Sequence, residues 1–489
     1  MMNQLLNDGG WLLKALSSGA WSIFGTVSEK ALTVVTYILV SREVPPEQFG
    51  YLIVVLLTME LFSYVASFGV RENIIRTKNC SSDFYGDCLY FIRIVAASLV
   101  LILVGIITPV SYYVAGVEVS SLYIYMALFP YFSCLNTFYQ GILQRRMQFK
   151  ALAIRRAGIA VFSGAVGIIS VSNGQGVLSL IYAKYAYVLL DYIVLRYISR
   201  FRLESDFSVP GLFRIFSFGW KVSISQVMNF FSSKQTEFIT VSFFGPQALA
   251  ILDVGRKVLV TLYSVLMTAV TPVSLSVMTS TSAPMTAYHL VVRGLVVLLV
   301  PFVAIIGVNS EEIIDVVFGS KWNESASLLA IFSFGVMAQP ISWHLQNICL
   351  NKGRPGLAIY LNLINLLVSA SLLLYSAAVY GSLDSLVEFF VVGLFVSAIM
   401  KITFLCIVLK LRGLPFFMHF VESVCIFFSV FYLLPVIDAG DHIVNYFSVA
   451  LPDWLLLFLT LFIHGLILLP YIIVRIFLLN SKLSELKGN

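Results

Sequence analysis

The sequence predicts an all-α polytopic membrane protein with about fourteen transmembrane helices, and three observations carry that reading. Across 489 residues, 59% are hydrophobic and 11% charged, and the mean hydropathy is +0.92. That leaves too little polar surface to cover a soluble globule. The apolar residues fall in continuous runs of roughly 20, the length that crosses the hydrocarbon core as a helix. A transmembrane β-barrel is excluded, because its strands would alternate with period 2. Lastly, lysines and arginines collect in every second connection between runs, as they do when one set of loops faces the cytoplasm.

The first two runs, at about 19–40 and 49–70, flank the polar hinge VSREVPPEQFG and read as a helical hairpin. Runs near 88–109, 121–142, 153–172 and 176–197 follow, divided by short polar breaks. The next pair, 213–243 and 248–278, brackets a second hinge, VSFFGPQALAILDV. Runs at 287–308, 325–348, 357–380, 385–409, 416–437 and 454–479 complete the set. With the N-terminus in the cytoplasm, inside segments hold twenty lysines and arginines while outside loops hold Arg42 and Lys321. Both termini are therefore expected in the cytoplasm. The same distribution explains the net charge of +6 without a nucleic-acid partner. No cleavable signal peptide is expected, since the first apolar run reads as a retained span.

The two hinges are related. Aligning YILVS (37–41) with FITVS (238–242), with one residue of slippage, sets Pro46 on Pro246, Leu52 on Leu252 and Val54 on Val254. QGILQRRM (140–147) likewise matches QNICLNKG (346–353), after the fourth and tenth runs. These echoes imply two six-helix lobes, 1–210 and 211–412, followed by an additional helix pair and short cytoplasmic tail at 413–489. Six is even, so both lobes enter the membrane in the same sense, as parallel repeats about an axis along the membrane normal.

Polar residues within the runs mark candidate sites. Ser22, Thr26, Glu29, Thr33 and Thr36 share one face of the first helix, with Lys30 beside them, roughly 18 Å deep at 1.5 Å per residue. Glu60, Tyr64, Ser67 and Arg71 share a face of the second. The seventh carries Lys221, Ser225, Asn229, Ser232, Thr236 and Thr240, and the eighth Asp253, Lys257, Thr261, Ser264, Thr268 and Thr271, with Arg256 adjacent. These stripes are expected to line a wet cavity between the lobes. For the hydroxyls the competing reading is helix-to-helix adhesion. Charges are different, because an ionised group in hydrocarbon costs several kcal/mol and must face water or a partner. Lys30, Lys221, Lys234, Arg256 and Lys257 are the candidate cavity cations, and Glu29, Glu60, Glu237 and Asp253 the candidate ion-coupling carboxylates. Those carboxylates either pair structurally with the lysines or take up a coupling proton or sodium ion. Lys184 and Asp191, seven apart in the sixth run, read as a structural pair.

Other chemistry is excluded or unsupported. The six cysteines form no C-x-x-C and read as structural thiols, and His289, His344, His419, His442 and His464 show no ligand spacing. No metal, haem or other cofactor is expected. The longest outside loops, near 309–324 and 438–453, hold about sixteen residues each, too few for a soluble catalytic domain. That argues against an enzyme.

The stretch GAWSIFGTVSEKALTVVTYILVSREVPPEQFG (19–50) resembles the start of Wzx-type polysaccharide flippases of the multidrug/oligosaccharidyl-lipid/polysaccharide (MOP) exporter superfamily. ASFGVRENIIRTKN (66–79), YQGILQRRMQFKALA (139–153) and VVFGSKWNES (316–325) add to it, the last being similar to an F-G-x-x-W signature. The hinge departs mildly from the family's L-A-R pattern, and fourteen spans match lipid II flippases rather than the twelve often assigned to Wzx proteins. The resemblance implies a two-lobed, MATE-like bundle in a bacterial inner membrane. Its implied substrate is an undecaprenyl-pyrophosphate-linked oligosaccharide moved between leaflets, with membrane lipids, a polysaccharide polymerase and chain-length proteins as implied partners. A MATE-type drug antiporter, favoured by a negative cavity, and a membrane-embedded polymerase or glycosyltransferase are the alternatives.

Overall fold

The computed structural model describes residues 10–77, 81–201, 208–280, 284–343, 345–354, 356–411 and 413–437, and the elements within them are helices. The chain divides into two compact units, 1–233 and 234–489.

In the first unit α1 (Gly10–Glu43) and α2 (Pro46–Ser67) make the predicted hairpin. Pro45 is extended at φ −59° and ψ 147°, and Pro46 opens α2 where a missing N–H costs nothing. Buried Val44 and Phe49 pin the hinge, with the Phe49 ring edge-on to Tyr37 at 5.0 Å. The second run breaks at Phe68 and Gly69, both left-handed, and continues as α3 (Val70–Arg76). Next come α4 (Ser82–Ile102), a π-helical turn at Leu103–Ile107, α5 (Thr108–Tyr125) and α6 (Phe129–Arg145). Cys88, Leu89, Ile92, Cys134, Leu135 and Phe138 share one buried cluster, so α4 and α6 lie side by side. The unit closes with α7 (Phe149–Ser172), α8 (Leu178–Ser199) and the beginning of α9 (Val209–Ser280). The QRRM motif is explained here: Arg145 donates to the carbonyls of Ile74 and Thr77, and Arg146 to that of Ser199 at 2.7 Å. Each arginine thus satisfies orphan carbonyls at a helix C-terminus.

Helix α9 is two arms joined at Gly245, whose φ of 83° and ψ of 179° suit glycine alone. Glu237 and Arg256 meet although nineteen residues apart, a separation of roughly 28 Å along a straight helix. The chain therefore turns back at Gly245, where the sequence placed its second hinge, and Pro246 opens the second arm as Pro46 opens α2.

The second unit continues with α10 (Pro284–Val308), α11 (Ser310–Phe318), α12 (Glu324–Val336), α13 (Gln339–Trp343) and α14 (Leu345–Asn351). Helices α15 (Leu357–Val379), α16 (Leu383–Leu409) and α17 (Leu414–Ile437) complete what is described. Two expectations need correcting. The presumed outside loop at 309–324 is filled by α11 and a 3-10 turn, and its Phe318 and Trp322 are almost wholly buried. The FGSKW signature is thus a packing wedge. The tenth run is broken after α12, because Pro340 has no N–H with which to extend that helix.

Among the described residues, eight helical segments are long and apolar enough to cross a membrane, or nine if α12 with the helix after it is one broken span. One of the eight, Ser82–Arg145, holds both the third and fourth predicted runs. The chain is a multi-pass membrane protein. The fourteenth run, at 454–479, lies outside the described residues, so the number fourteen stands as the expectation of the sequence.

Candidate functional site

Among the described residues, three gatherings of charge hold the cations and carboxylates that the sequence singled out or their neighbours, two in the first unit and one in the second. The first is a cavity of about 400 Å³ enclosed by α1, α6, α7 and α8. A Cβ at Gly25 would stand 2.9 Å from the Ala153 Cα, so glycine lets α1 and α7 touch by their backbones. One turn further, Glu29 faces the cavity and accepts a hydrogen bond from the Tyr187 hydroxyl at 2.8 Å. Arg155 and Asp191 meet at 2.8 Å with side chains 3% and 10% exposed. Arg156 reaches the Thr26 hydroxyl at 3.4 Å. Asn136 donates to the Val188 carbonyl at 3.0 Å, while its own Oδ1 and the Arg155 Nε find no hydrogen-bond partner in the described protein.

This cavity corrects part of the sequence reading. The α1 stripe of Glu29, Thr33 and Thr36 faces a space inside one unit. Thr33 and Thr36 donate to the carbonyls of Glu29 and Leu32, so their hydroxyls are satisfied by their own helix. Lys30 is half-buried beside Glu29. Lys184 and Asp191 both line the cavity, and the ion pair described at Asp191 is with Arg155. Arg155 and Arg156 were missed because they sit at the edge of a cluster counted as a cytoplasmic loop. The available signal was helical: Arg155 lies two turns inside α7.

The second place is a basic pocket of about 640 Å³ between the end of α3, the start of α4 and the first arm of α9. Arg76, Arg214 and Lys221 line it with Asn73, Thr77, Ser81 and Ser217, and none of its described lining residues is acidic. The Arg76 guanidinium lies 4.5 Å from the Phe218 ring centroid and that of Arg214 5.4 Å from Phe84. Ring faces hold the cations without neutralising them. Above it, Ser67 donates to Gln226 at 3.1 Å and Tyr64 packs on Phe230, which turns part of the α2 polar face onto α9. Glu60 is half-buried on the same helix.

The third is an ion cluster on the two arms of α9 beyond residue 233. Glu237, with a side chain 1% exposed, is bound by Arg256 and lies 3.4 Å from Lys234. Asp253 is 3.2 Å from Arg256 and 3.8 Å from Lys257. Five of the residues singled out from the sequence are thus one network of three cations on two carboxylates, joined across the Gly245 turn. The competing reading for these carboxylates, structural pairing, describes the geometry.

A family model described as "Polysaccharide biosynthesis protein" matches residues 39–327, more than half of the chain. The chain belongs to the polysaccharide biosynthesis protein family. The comparison with curated proteins returns no match. Among solved structures, the lipid II flippase MurJ in an inward closed conformation aligns with a TM-score of 0.65 at 13% identity, covering 98% of this chain and 100% of that one. An inward-facing multidrug resistance MATE transporter of the MOP superfamily gives 0.61 at 15% identity, covering 83% and 95%. A MOP superfamily transporter from Pyrococcus furiosus, titled for the reverse polarity of its binding pocket, gives 0.59 at 14%, covering 84% and 96%. At such identities the likeness is one of fold, and the fold of this family member is that of MOP superfamily transporters.

Proposed function

We propose that this chain is a flippase, which moves an undecaprenyl-pyrophosphate-linked oligosaccharide across a bacterial cytoplasmic membrane by alternating access, for assembly of a surface polysaccharide. The observation that carries the proposal is the pairing of a polysaccharide biosynthesis family with a MOP transporter fold in one chain. A pyrophosphate cannot cross hydrocarbon unaided and needs charge-assisted donors. Arg76, Arg214 and Lys221 supply three in the basic pocket. Lys30, Lys234, Arg256 and Lys257 are further candidates along the substrate path, of which Lys234, Arg256 and Lys257 already hold carboxylates. The two lobes, 1–210 and 211–412, would alternate access, with 413–489 as an accessory pair and both termini cytoplasmic. The chain's role is transport, with no bond of the glycan made or broken. A polymerase and chain-length proteins would take the product outside.

Coupling fits the α1–α8 cavity. Glu29, Asp191 and the Asn136 Oδ1 offer oxygens to a proton or sodium ion, and Arg155 competes for Asp191. Glu60, Glu237 and Asp253 are secondary candidates, the latter two being tied to Arg256. A MATE-type drug antiporter is the second reading. It prefers cationic substrates, and a pocket of three cations without a carboxylate disfavours it.

The triple variant Arg76→Ala, Arg214→Ala, Lys221→Ala tests the substrate path. All three residues are exposed and none has a described carboxylate partner, so protein abundance should stay normal while surface glycan falls and lipid-linked oligosaccharide accumulates in the inner leaflet. Unchanged glycan export would remove the pocket from that path.

A further inference from the structure

The second unit holds a histidine cluster that the proposed transport chemistry does not use. His289 Nδ1 of α10 and His419 Nε2 of α17 are 3.0 Å apart, although 130 residues separate them in the chain. His419 is buried, and its other ring nitrogen, Nδ1, has no hydrogen-bond partner among the described residues. That nitrogen lies 4.0 Å from Glu422 Oε2. The carboxylate is anchored through its other oxygen, which accepts from Arg293 Nε at 3.0 Å. Phe416 closes one side, its ring 4.8 Å from that of His289.

We propose that His419, held between His289 and Glu422, is a proton-binding site that fastens α17 onto α10. In the neutral cluster Arg293 and Glu422 cancel. A proton entering at His419 Nδ1 makes an imidazolium that donates through Nε2–H to the neutral His289 and through Nδ1–H toward Glu422. The buried, unpartnered nitrogen gains a charged acceptor, and charge-assisted bonds of this kind exceed neutral ones. Capacity is one proton: a single hydrogen fits between the facing ring nitrogens, so protonating both rings would break the contact.

Among the described residues, the charged groups of the other packed elements make their described contacts elsewhere. Helix α13 carries no titratable side chain, and Cys349 of α14 donates to the Leu345 carbonyl of its own helix. On α16, Lys401 donates to Asn365 of α15 at 2.8 Å. The acidic groups of α11 and the start of α12 lie at the far end of α10, roughly 25 Å away. His289 is in the second turn of α10 and His419 in the second of α17, so the site sits near one membrane face, the cytoplasmic one on the orientation expected from the sequence. It does not depend on the identity of the transported substrate.

Full-length protein in nanodiscs, labelled with ¹⁵N-histidine, tests this directly. As the pH is lowered, one imidazole should pass from neutral to doubly protonated, and that signal should be missing in His419→Gln. Amide exchange over 414–425 should then be roughly tenfold slower in the wild type than in His419→Gln at the acidic end, with the ratio near one at the basic end. A merely structural histidine predicts the same ratio at both. If His419→Gln does not fold, His289→Gln keeps an acceptor for Nε2–H and must show the same titration of His419. A His419 ring that stays neutral throughout, or an exchange ratio independent of pH, overturns the proposal.

Discussion

Arg155→Ala should destabilise the first unit by about 3–5 kcal/mol, because it strands the Asp191 carboxylate in a site where both partners are nearly sealed from solvent. Thermal unfolding of the purified chain, followed by size-exclusion profile, reads the loss. Replacing both charges, Arg155→Leu with Asp191→Leu, should recover most of it, since no unpaired ion is then left behind. The double variant also separates stability from coupling. If Asp191 takes part in ion binding, the chain regains its unfolding temperature but not its glycan export. An Arg155→Ala protein that melts with the wild type would show that the pair contributes nothing to folding.

Arg256→Ala should have a comparable effect on the second unit. It removes the cation that Glu237 and Asp253 share, and Glu237 is enclosed almost completely. A loss of about 2–3 kcal/mol follows, because only the longer, partly solvated contacts of Lys234 and Lys257 are then left to balance the two carboxylates. Arg256→Lys should recover part of it, because an ammonium restores the charge but its shorter stem does not set a nitrogen where Nη2 meets both carboxylates. Lys257→Ala should cost far less, about 0–1 kcal/mol, its 3.8 Å contact being partly open to solvent. Measuring membrane abundance beside surface glycan tells the cases apart. Normal abundance with lost export in Arg256→Ala would assign that arginine to substrate instead of to the Gly245 hairpin.

What the sequence made legible was the part of the fold that hydropathy and backbone chemistry determine locally. Apolar runs located the helices, and Pro45, Pro46, Gly245 and Pro246 located both hinges, because proline and glycine act on their own backbone whatever lies around them. Partners were harder. The face of α1 carrying Glu29 follows from helical spacing, but spacing cannot say which helix that face meets, and Tyr187 lies 158 residues away. Arg155 read as a loop charge because a hydropathy window registers charge without registering a buried counter-ion on the next helix. His289 and His419 looked scattered for the same reason. FGSKWNES looked like an exposed loop, since a short amphipathic turn with one tryptophan does not resemble a span until Trp322 is seen buried.

Translocation in a defined membrane is the most direct measurement. Full-length protein would be reconstituted into liposomes carrying an undecaprenyl-pyrophosphate-linked oligosaccharide, and the glycan exposed on each leaflet followed with a membrane-impermeant glycosidase. Transfer well above that of protein-free liposomes, with the glycan chemically unchanged and the rate lost in the Arg76→Ala, Arg214→Ala, Lys221→Ala variant, is the predicted result. Transfer no faster than in protein-free liposomes, or a glycan that emerges elongated, would contradict a flippase.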